Sequence, residues 1–400
     1  MNIHPLRQRQ TPVNFTPVPD RRLARLAIFE DMAEAEPYWR TLEGGLATPY
    51  QRYDFLRLWQ HHVGRAAGIT PFIVVGLNRA DEPLFLWPLG MRWLGRLRIA
   101  EFLGGKHANF NMGLWRCDIA PHIDAAEMRS ALAKLSGNLD LLILSNQPLT
   151  WNGATNPFGL LPHQRAANSG FSGALIPDFE ALLRARTNAA ARKKMRKKER
   201  ALADMGTVSF NRPGDHGEVR HVLDVFFKQK SARMRALGVT DVFAAAGVRR
   251  FIEAAASAQA AGGEPLIELY ALTVDDIVVA TMGGIVGGNR FCAMFNSIAQ
   301  GRYAIESPGE QLIVNLVRRC CERELETFDL GIGDARYKSL FCGDVEPLFD
   351  SFLPLTAEGR ILAFAYRAAA IVKRTVKRQP ALWALVRAAR RLRARATPAA

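Results

Sequence analysis

Three apolar segments of strand length follow one another closely between residues 266 and 298, and this run constrains the fold more than any other feature. The segments are 266–273, 277–286 and 290–298. Asp275 and Asp276 separate the first two, and Gly287, Gly288 and Asn289 separate the last two. Connections this short join antiparallel neighbours. We therefore predict a three-stranded antiparallel meander in the second half of the chain.

An amphipathic helix and a buried strand follow this meander. Residues 308–324 place Leu312, Leu316 and Cys320 on one face and charged side chains on the other, the pattern of a helix packed on a sheet. The apolar run 328–330 predicts the next strand. A strand at 208–210 and helices at 218–237 and 248–260 precede the meander, so the second half has the order strand, helix, helix, meander, helix, strand.

The length of 400 residues and the 48% hydrophobic content exceed what one core usually organises, so we expect two domains. The first half mixes predicted helices with strand-like runs, and its residues 146–170 are rich in the Gly, Pro and Asn typical of loops. Its predicted helices are 22–40, 53–63 and 125–135, and its predicted strands are 71–77, 84–89, 97–103 and 139–145. The expected division is a leader (1–20), a first domain (21–175), a basic connecting helix (176–206), a second domain (207–358) and a basic helical tail (359–400).

The net charge of +15 is concentrated in two short segments. Residues 184–200 carry nine Lys or Arg against one Glu, and residues 360–395 carry eleven and no acid. The remainder of the chain is therefore slightly acidic. Such dense positive charge predicts an anionic partner, either a polyanion or a membrane surface, for the segments from Arg192 to Arg200 and from Arg387 to Arg395.

Several classes of protein are disfavoured by the sequence. Residues 1–20 contain four prolines and no apolar core of a signal peptide, and the apolar segment 361–372 is too short to span a bilayer. The five cysteines and eight histidines show no metal-ligand spacing. We expect a cytoplasmic protein without a metal, with peripheral contact to the inner face of the membrane as a further expectation.

Several short motifs resemble those of the CelD-like acetyltransferases of exopolysaccharide biosynthesis. The motifs are Thr48-Pro49-Tyr50, Phe55-Leu56, Trp59, Tyr303, Ser307-Pro308-Gly309, 328–333 (Phe-Asp-Leu-Gly-Ile-Gly), Tyr337-Lys338 and Phe341. These proteins belong to the GNAT superfamily and are distant relatives of the Fem aminoacyl transferases. The resemblance covers residues 45–355. It implies an α/β (α+β) fold of two tandem GNAT-like domains, each a mixed, mostly antiparallel twisted sheet flanked by helices.

The resemblance also implies where an acetyl-CoA donor binds. In a GNAT domain two adjacent strands separate around the thioester, and the pyrophosphate lies at the start of the following helix. The strands here are 290–298 and 327–330, and Pro308 opens the helix. The residues predicted to contact the donor are Ser307, Gly309, Gly331, Gly333 and Lys338. A capping box between Ser307 and Glu310 is the structural alternative at the helix start.

Candidate catalytic residues cluster near the same strand ends. Asp329, Asp334 and Glu306 are alternative general bases, and Tyr337 is a candidate proton donor to the leaving thiolate. The structural alternatives are that Asp329 accepts hydrogen bonds from a loop and that Tyr337 packs into the core. Asn109, Asn111 and Tyr303 are the candidate acceptor-binding residues.

The leading hypothesis is direct transfer of an acyl group from acyl-CoA to an amine or hydroxyl of a cell-envelope or exopolysaccharide precursor, either a small molecule or a lipid-linked sugar. Two alternatives stay open. One is Fem-like transfer from an aminoacyl transfer RNA, which the basic connecting helix would bind. The other is a scaffold of two GNAT-like domains without catalytic activity in polysaccharide synthesis.

Overall fold

A computed structural model describes residues 20–258, 263–333, 338, 340–379, 381–386 and 388. The first half of the chain alternates strands and helices. Its strands are Arg25–Phe29 (β1), Thr70–Leu77 (β2), Pro83–Leu94 (β3), Leu97–Phe102 (β4), Leu114–Trp115 (β5), Leu141–Pro148 (β6), Thr150–Trp151 (β7), Ala154–Thr155 (β8) and Gln164–Ala174 (β9). Its helices are Met32–Leu42 (α1), Tyr53–Trp59 (α2) and Ala125–Ala133 (α3).

The second half follows the predicted order, then adds a strand, and ends in a helix where a helical tail was predicted. Its helices are Phe179–Arg186 (α4), Ala189–Ala203 (α5), His216–Leu237 (α6), Val248–Ser257 (α7), Pro308–Glu322 (α8) and Ala357–Arg378 (α9). Its strands are Val208–Asn211 (β10), Glu268–Val274 (β11), Ile277–Gly287 (β12), Arg290–Ile298 (β13), Thr327–Ile332 (β14) and Asp344–Pro354 (β15).

The two halves repeat one topology. In the first, β1 to β4 are antiparallel neighbours, and β6 returns parallel to β4 after α3. In the second, β10 to β13 are antiparallel neighbours, and β14 returns parallel to β13 after α8. Each half is therefore a mixed, mostly antiparallel sheet flanked by helices, as the resemblance implies.

One later strand of each half pairs with strands of the other half. β9 of the first half pairs with β14, and β15 of the second half pairs with β6 and β9. One sheet results, in the order β1-β2-β3-β4-β6-β15-β9-β14-β13-β12-β11-β10. The halves also share a core, where the rings of Phe55 and Phe251 lie 5.2 Å apart between centroids. The boundary expected near residue 175 stays a prediction, and the sheet crosses it.

Most sequence-derived elements are confirmed within one to three residues. The helix over 22–40 is partly wrong, because its first part is β1, which pairs with β2, and the Asp31 side chain caps α1 by accepting from the Ala33 amide. The loop over 146–170 is also partly wrong. It contains the end of β6, then β7, β8 and the start of β9, and pairing with β15 holds this part of β9, including Gly170, in a strand. The sequence did not predict β15.

Helix α9 covers the centre of the sheet on one side. Its inner side chains pack on a small core cluster with β4, β6 and β15: Ile99, Leu141, Ile143, Phe352 and Ala363, with Leu362, Tyr366 and Ala370 against them. No helix within the described ranges is long and apolar enough to cross a bilayer. The segment from Arg387 to Arg395, predicted to be helical, lies outside the described residues except for 388.

Candidate active site

The sheet opens between β13 and β14. The two strands pair in parallel only over Arg290–Cys292 and Thr327–Asp329. Beyond this point Gly331 has a φ of 71°, and β13 continues to Ile298 beside β12. Backbone groups on the far edge of β13 are therefore released from the ladder. Such groups can bind the carbonyl of a ligand.

A cavity of about 260 Å³ lies in this opening. Its walls come from β13, the end of β14, α6 and the first half of the chain: Asn109, Lys230, Phe243, Met282, Ala293, Met294, Phe295, Asn296, Leu330, Ile332, Gly333 and Lys338. The wall mixes apolar side chains with polar groups, and two lysines supply positive charge. The predicted residues Gly333, Lys338 and Asn109 meet here.

Lys338 is fixed at the end of β14. Its Nζ donates to the carbonyl oxygens of Gly331 (3.0 Å) and Ile332 (3.1 Å), and only 4% of the residue is exposed. It also lies 5.4 Å from the ring centroid of Phe171. An ammonium group held in this way can stabilise a developing negative charge or bind a phosphate.

Lys230 is the second lysine, and the sequence-based reasoning missed it. Its Nζ donates to the carbonyl of Asn296 (3.1 Å) and lies 5.3 Å from the ring centroid of Phe243. Burial lowers the pKa of Lys230 to about 8, so a substantial fraction is neutral near that pH and can accept a proton. The signal was available: Val219 and Phe226 lie on the apolar stripe of α6, and position 230 continues it.

Asn109 connects the first half to the opening in the sheet. Its Nδ2 donates to the carbonyl of Ala293 (2.9 Å) and to the hydroxyl of Tyr50 (3.1 Å). A Cβ at Gly331 would lie 2.5 Å from this nitrogen. Gly331 is therefore required both by its positive φ and by the close approach of Asn109. Its predicted contact with the donor stays a prediction.

Asp329 belongs to a buried ion network. The Nη2 of Arg290 contacts Asp329 Oδ2 (2.6 Å) and Glu346 Oε2 (2.8 Å), and the Ser172 hydroxyl donates to Glu346. Burial and the negative charge of Glu346 raise the pKa of Asp329 to about 6, although the positive charge of Arg290 acts to lower it. The Gly331 amide donates to its other oxygen. The cavity lining does not include Asp329, so this geometry favours a positioning role over base catalysis.

The start of α8 differs from the capping box that the sequence suggests. Ser307 has a φ of 53°, and its side chain makes no capping bond. Instead Lys198 of α5 donates to Ser307 Oγ (2.6 Å) and Glu310 Oε2 (3.1 Å). The predicted capping box is therefore wrong, because Lys198 binds both side chains that would form it. The prediction that Pro308 opens the helix is confirmed. A Cβ at Gly309 would lie 2.7 Å from Ile298.

The other predicted residues lie around this region. Tyr303 is buried in the core of the second half and accepts from Arg302 (2.6 Å). Glu306 is half-buried, and its backbone carbonyl accepts from Gln311 (3.0 Å). Asp334 and Tyr337 lie outside the described residues. Within the described ranges, no group of three or more His, Cys, Asp or Glu residues could hold a metal ion.

A larger cavity, of about 620 Å³, lies at the equivalent opening of the first half, beyond the short pairing of β4 with β6. Asn111 lines it. Its Nδ2 donates to the carbonyl of Ser145 (3.1 Å), whereas its buried Oδ1 has no partner among the described residues. Asp350 also lines this cavity and accepts from the Asn146 amide (2.9 Å). Ile332 lines both cavities, so they are neighbours.

Residues 189–339 match the family model described as an acetyltransferase (GNAT) domain. No curated protein matches the chain. Three solved structures share its fold. The C-terminal domain of a putative lysylphosphatidylglycerol synthetase from Agrobacterium fabrum has a TM-score of 0.52 at 11% identity, over 86% of this chain and 98% of that one. FemX has a TM-score of 0.51 at 10% identity, over 82% of this chain and 98% of that one.

The third structure is a conserved protein of unknown function from Bacteroides thetaiotaomicron, with a TM-score of 0.50 at 11% identity, over 82% of this chain and 100% of that one. At such identities these likenesses concern the fold alone. The family match spans the meander, the opening between β13 and β14, and Lys338. The chain therefore carries a GNAT acetyltransferase domain, the domain of a transferase.

Proposed function

We propose that the protein transfers an acyl group, in the simplest case acetyl, from acyl-CoA to an amine or hydroxyl of a cell-envelope or exopolysaccharide precursor in the cytoplasm. The observation that carries this proposal is the opening between β13 and β14, where Lys230 and Lys338 line one cavity. The opening lies inside the matched GNAT domain. The motifs resembling CelD-like proteins supply the acceptor class.

The donor thioester would lie in the cavity of about 260 Å³, with its carbonyl facing the released edge of β13. Its pyrophosphate would lie toward the start of α8, beside the cations of α5. Lys198 already contacts this helix start, and Arg196 is exposed on α5. Amides at a helix start and nearby cations both favour an anion. Glu310 is held by Lys198, so its charge is partly neutralised there.

The chemistry needs a proton acceptor and a stabilised oxyanion. The acceptor's nitrogen or oxygen forms a bond to the thioester carbon, and the C–S bond then breaks. Neutral Lys230 takes the proton from the nucleophile and returns it to the departing thiolate, so coenzyme A leaves as the thiol. The fixed charge of Lys338 stabilises the oxyanion.

The acceptor would occupy the first-half cavity of about 620 Å³, which Ile332 separates from the donor cavity. Its lining is mixed, and polar groups within it would suit a sugar or a peptide-like group: Asp350 has a largely buried carboxyl, and the buried amide oxygen of Asn111 has no partner among the described residues. Phe352 and Tyr366, whose rings stack at an interplanar angle of 15°, supply an aromatic wall. Two neighbouring sites suit a direct transfer.

Aminoacyl transfer from a charged transfer RNA is the second candidate. Five exposed cations of α5 favour it: Lys193, Lys194, Arg196, Lys197 and Arg200. Such a surface binds RNA phosphates with strong salt dependence. The acyl-CoA reaction is preferred because the donor cavity lies within the matched acetyltransferase domain.

Calorimetric titration of the whole protein with acetyl-CoA tests the proposal. We expect binding in the micromolar range, and a loss of at least about tenfold in affinity or turnover for Lys338→Met, equivalent to about 1.4 kcal/mol. Lys228→Met is the matched control, because Lys228 is exposed on α6. Absence of acetyl-CoA binding, together with RNA-dependent transfer, would replace the first candidate by the second.

A further inference from the structure

Helix α9 carries an apolar stripe on the side that faces away from the sheet. Ile361 is 77% exposed, Phe364 74%, and Val372 61%. The opposite side of the helix packs on the sheet through Leu362, Ala363, Tyr366 and Ala370. Packing therefore explains the inner apolar residues only. Large exposed apolar side chains on one helix face are typical of an interaction surface.

The cations of α9 fall into two sets. Those on the inner side are bound to the protein: Arg367 donates to the Phe352 carbonyl (2.7 Å), and Arg374 to the Arg165 carbonyl (3.0 Å). Arg360 and Arg378 are exposed and flank the apolar stripe, whereas Lys373, also exposed, lines the first-half cavity on the sheet side. Eleven Lys or Arg and no acid follow Glu358 in the sequence. The outer face of α9 is therefore apolar with cations at its flanks, in a part of the sequence that has no acidic residue.

We propose that the outer face of α9 docks on an anionic lipid bilayer. The stripe would enter the boundary between headgroups and acyl chains, and the flanking cations would lie at the lipid phosphates. A second copy of this chain is a poorer occupant, because it would bring two positive surfaces together. The same repulsion opposes a cover formed by the basic end of the chain.

The turn between β3 and β4 carries further exposed apolar side chains, and Arg92 of β3 donates to the Tyr366 hydroxyl of α9 (3.5 Å). Trp93 is 60% exposed and Leu94 43%, and Arg96 beside them is exposed. The register pairs Leu94 with Leu97 and Arg92 with Ile99, so Leu94 shares the sheet face of Ile99, which packs on α9. Trp93 points to the opposite face by the same alternation, so Leu94 is the exposed apolar residue of this turn on the α9 side.

Docking would also place the first-half cavity beside the lipid surface. Tyr366, Ala370 and Lys373 of α9 form part of its wall. An acceptor drawn from the membrane could then reach the cavity without leaving the interface. This position of the cavity favours a lipid-linked acceptor over a small soluble one, an inference that rests on the proposed function.

Co-sedimentation with vesicles tests the docking surface directly. Full-length protein would be mixed with vesicles of phosphatidylcholine and phosphatidylglycerol and compared with the double variant Ile361→Ser/Phe364→Ser. We expect the partition coefficient of the variant to fall at least about tenfold. Ile277→Ser is the matched control, because Ile277 is 49% exposed on the turn between β11 and β12, and it should bind as the wild type does.

The outcomes separate this proposal from its rivals. Equal vesicle binding by wild type and double variant, or no binding by either, overturns it. A wild-type dimer that the double variant dissociates, seen by sedimentation velocity, assigns the stripe to a second copy and also overturns it. Thermal melting confirms that the variant is folded. Acetyl-CoA binding should be unchanged in the variant, so failure of the membrane proposal and failure of the transferase proposal are distinguishable.

Discussion

Replacing Lys230 by methionine should separate catalysis from stability, because the proposed reaction uses this lysine as a base while its burial lowers the stability of the fold. Burial lowers its pKa from 10.5 to about 8. The unfolded chain therefore holds this proton at a pH where the folded chain has released it. Below pH 8 the buried ammonium opposes folding by about 3 kcal/mol at most. As the pH rises from 8 to 10.5 this penalty is lost, so the free energy of unfolding of the wild type increases.

The Lys230→Met variant removes that cost but loses two contacts. The bond to the Asn296 carbonyl and the approach to the Phe243 ring together contribute about 1–2 kcal/mol. At pH 7 we therefore expect the variant to be more stable than the wild type by about 1–2 kcal/mol. The gain should disappear by about pH 10. Acetyl-CoA turnover of the variant should fall at least about tenfold, and wild-type turnover should rise with pH through about 8 and level off above that pH.

Urea denaturation at pH 7 and pH 9.5 measures the stability difference, and release of free thiol from acetyl-CoA measures turnover. Lys228→Met should leave both unchanged. The reasoning would be refuted by a Lys230→Met protein that is less stable than the wild type by the same amount at both pH values. A fully active variant would remove Lys230 from the proposed proton transfer.

Two further predictions test neighbouring features. Gly331→Ala should lower stability by about 1–3 kcal/mol in urea denaturation, because its Cβ would meet Asn109. Gly333 also has a positive φ, but no atom of the described residues lies within 4 Å of a Cβ built there. Gly333→Ala should therefore cost less, and equal costs would contradict the steric argument. Removing three exposed cations of α5 should weaken binding to a polyanion such as heparin and flatten its salt dependence, whereas unchanged salt dependence would leave α5 a solvated linker. These cations are removed by Lys193→Gln, Lys194→Gln and Lys197→Gln.

The second half of the fold was predictable because its signals are local. Two- and three-residue turns determine that β11, β12 and β13 are antiparallel neighbours, and helical periodicity places the buried face of α8. The basic helix α5 ends near Gly206, as its composition indicates. Each of these features depends on residues within about 15 positions of one another, where propensity and periodicity are reliable guides.

The candidate site was only partly predictable. The strand ends and Lys338 followed from a family resemblance, but the partners of the predicted residues did not. Asp329 is paired with Arg290, 39 positions away, and Glu310 with Lys198, 112 positions away. In the sequence Lys230 is one of many cations, and only the packing of α6 shows that it lines a cavity. Charged residues take their roles from neighbours in space, which spacing along the chain does not reveal.

By itself, the sequence determined the two α/β halves, the antiparallel meander, the helix that follows it and the two basic segments, because turn length, periodicity and charge are properties of neighbouring residues. Only the tertiary structure decided that β9 and β15 each pair with the other half of the chain. It also decided that Asn109 reaches across to β13, and that α9 turns an apolar stripe outward. These features depend on contacts between distant segments, where pairing of backbone groups and burial in a shared core outweigh local preference.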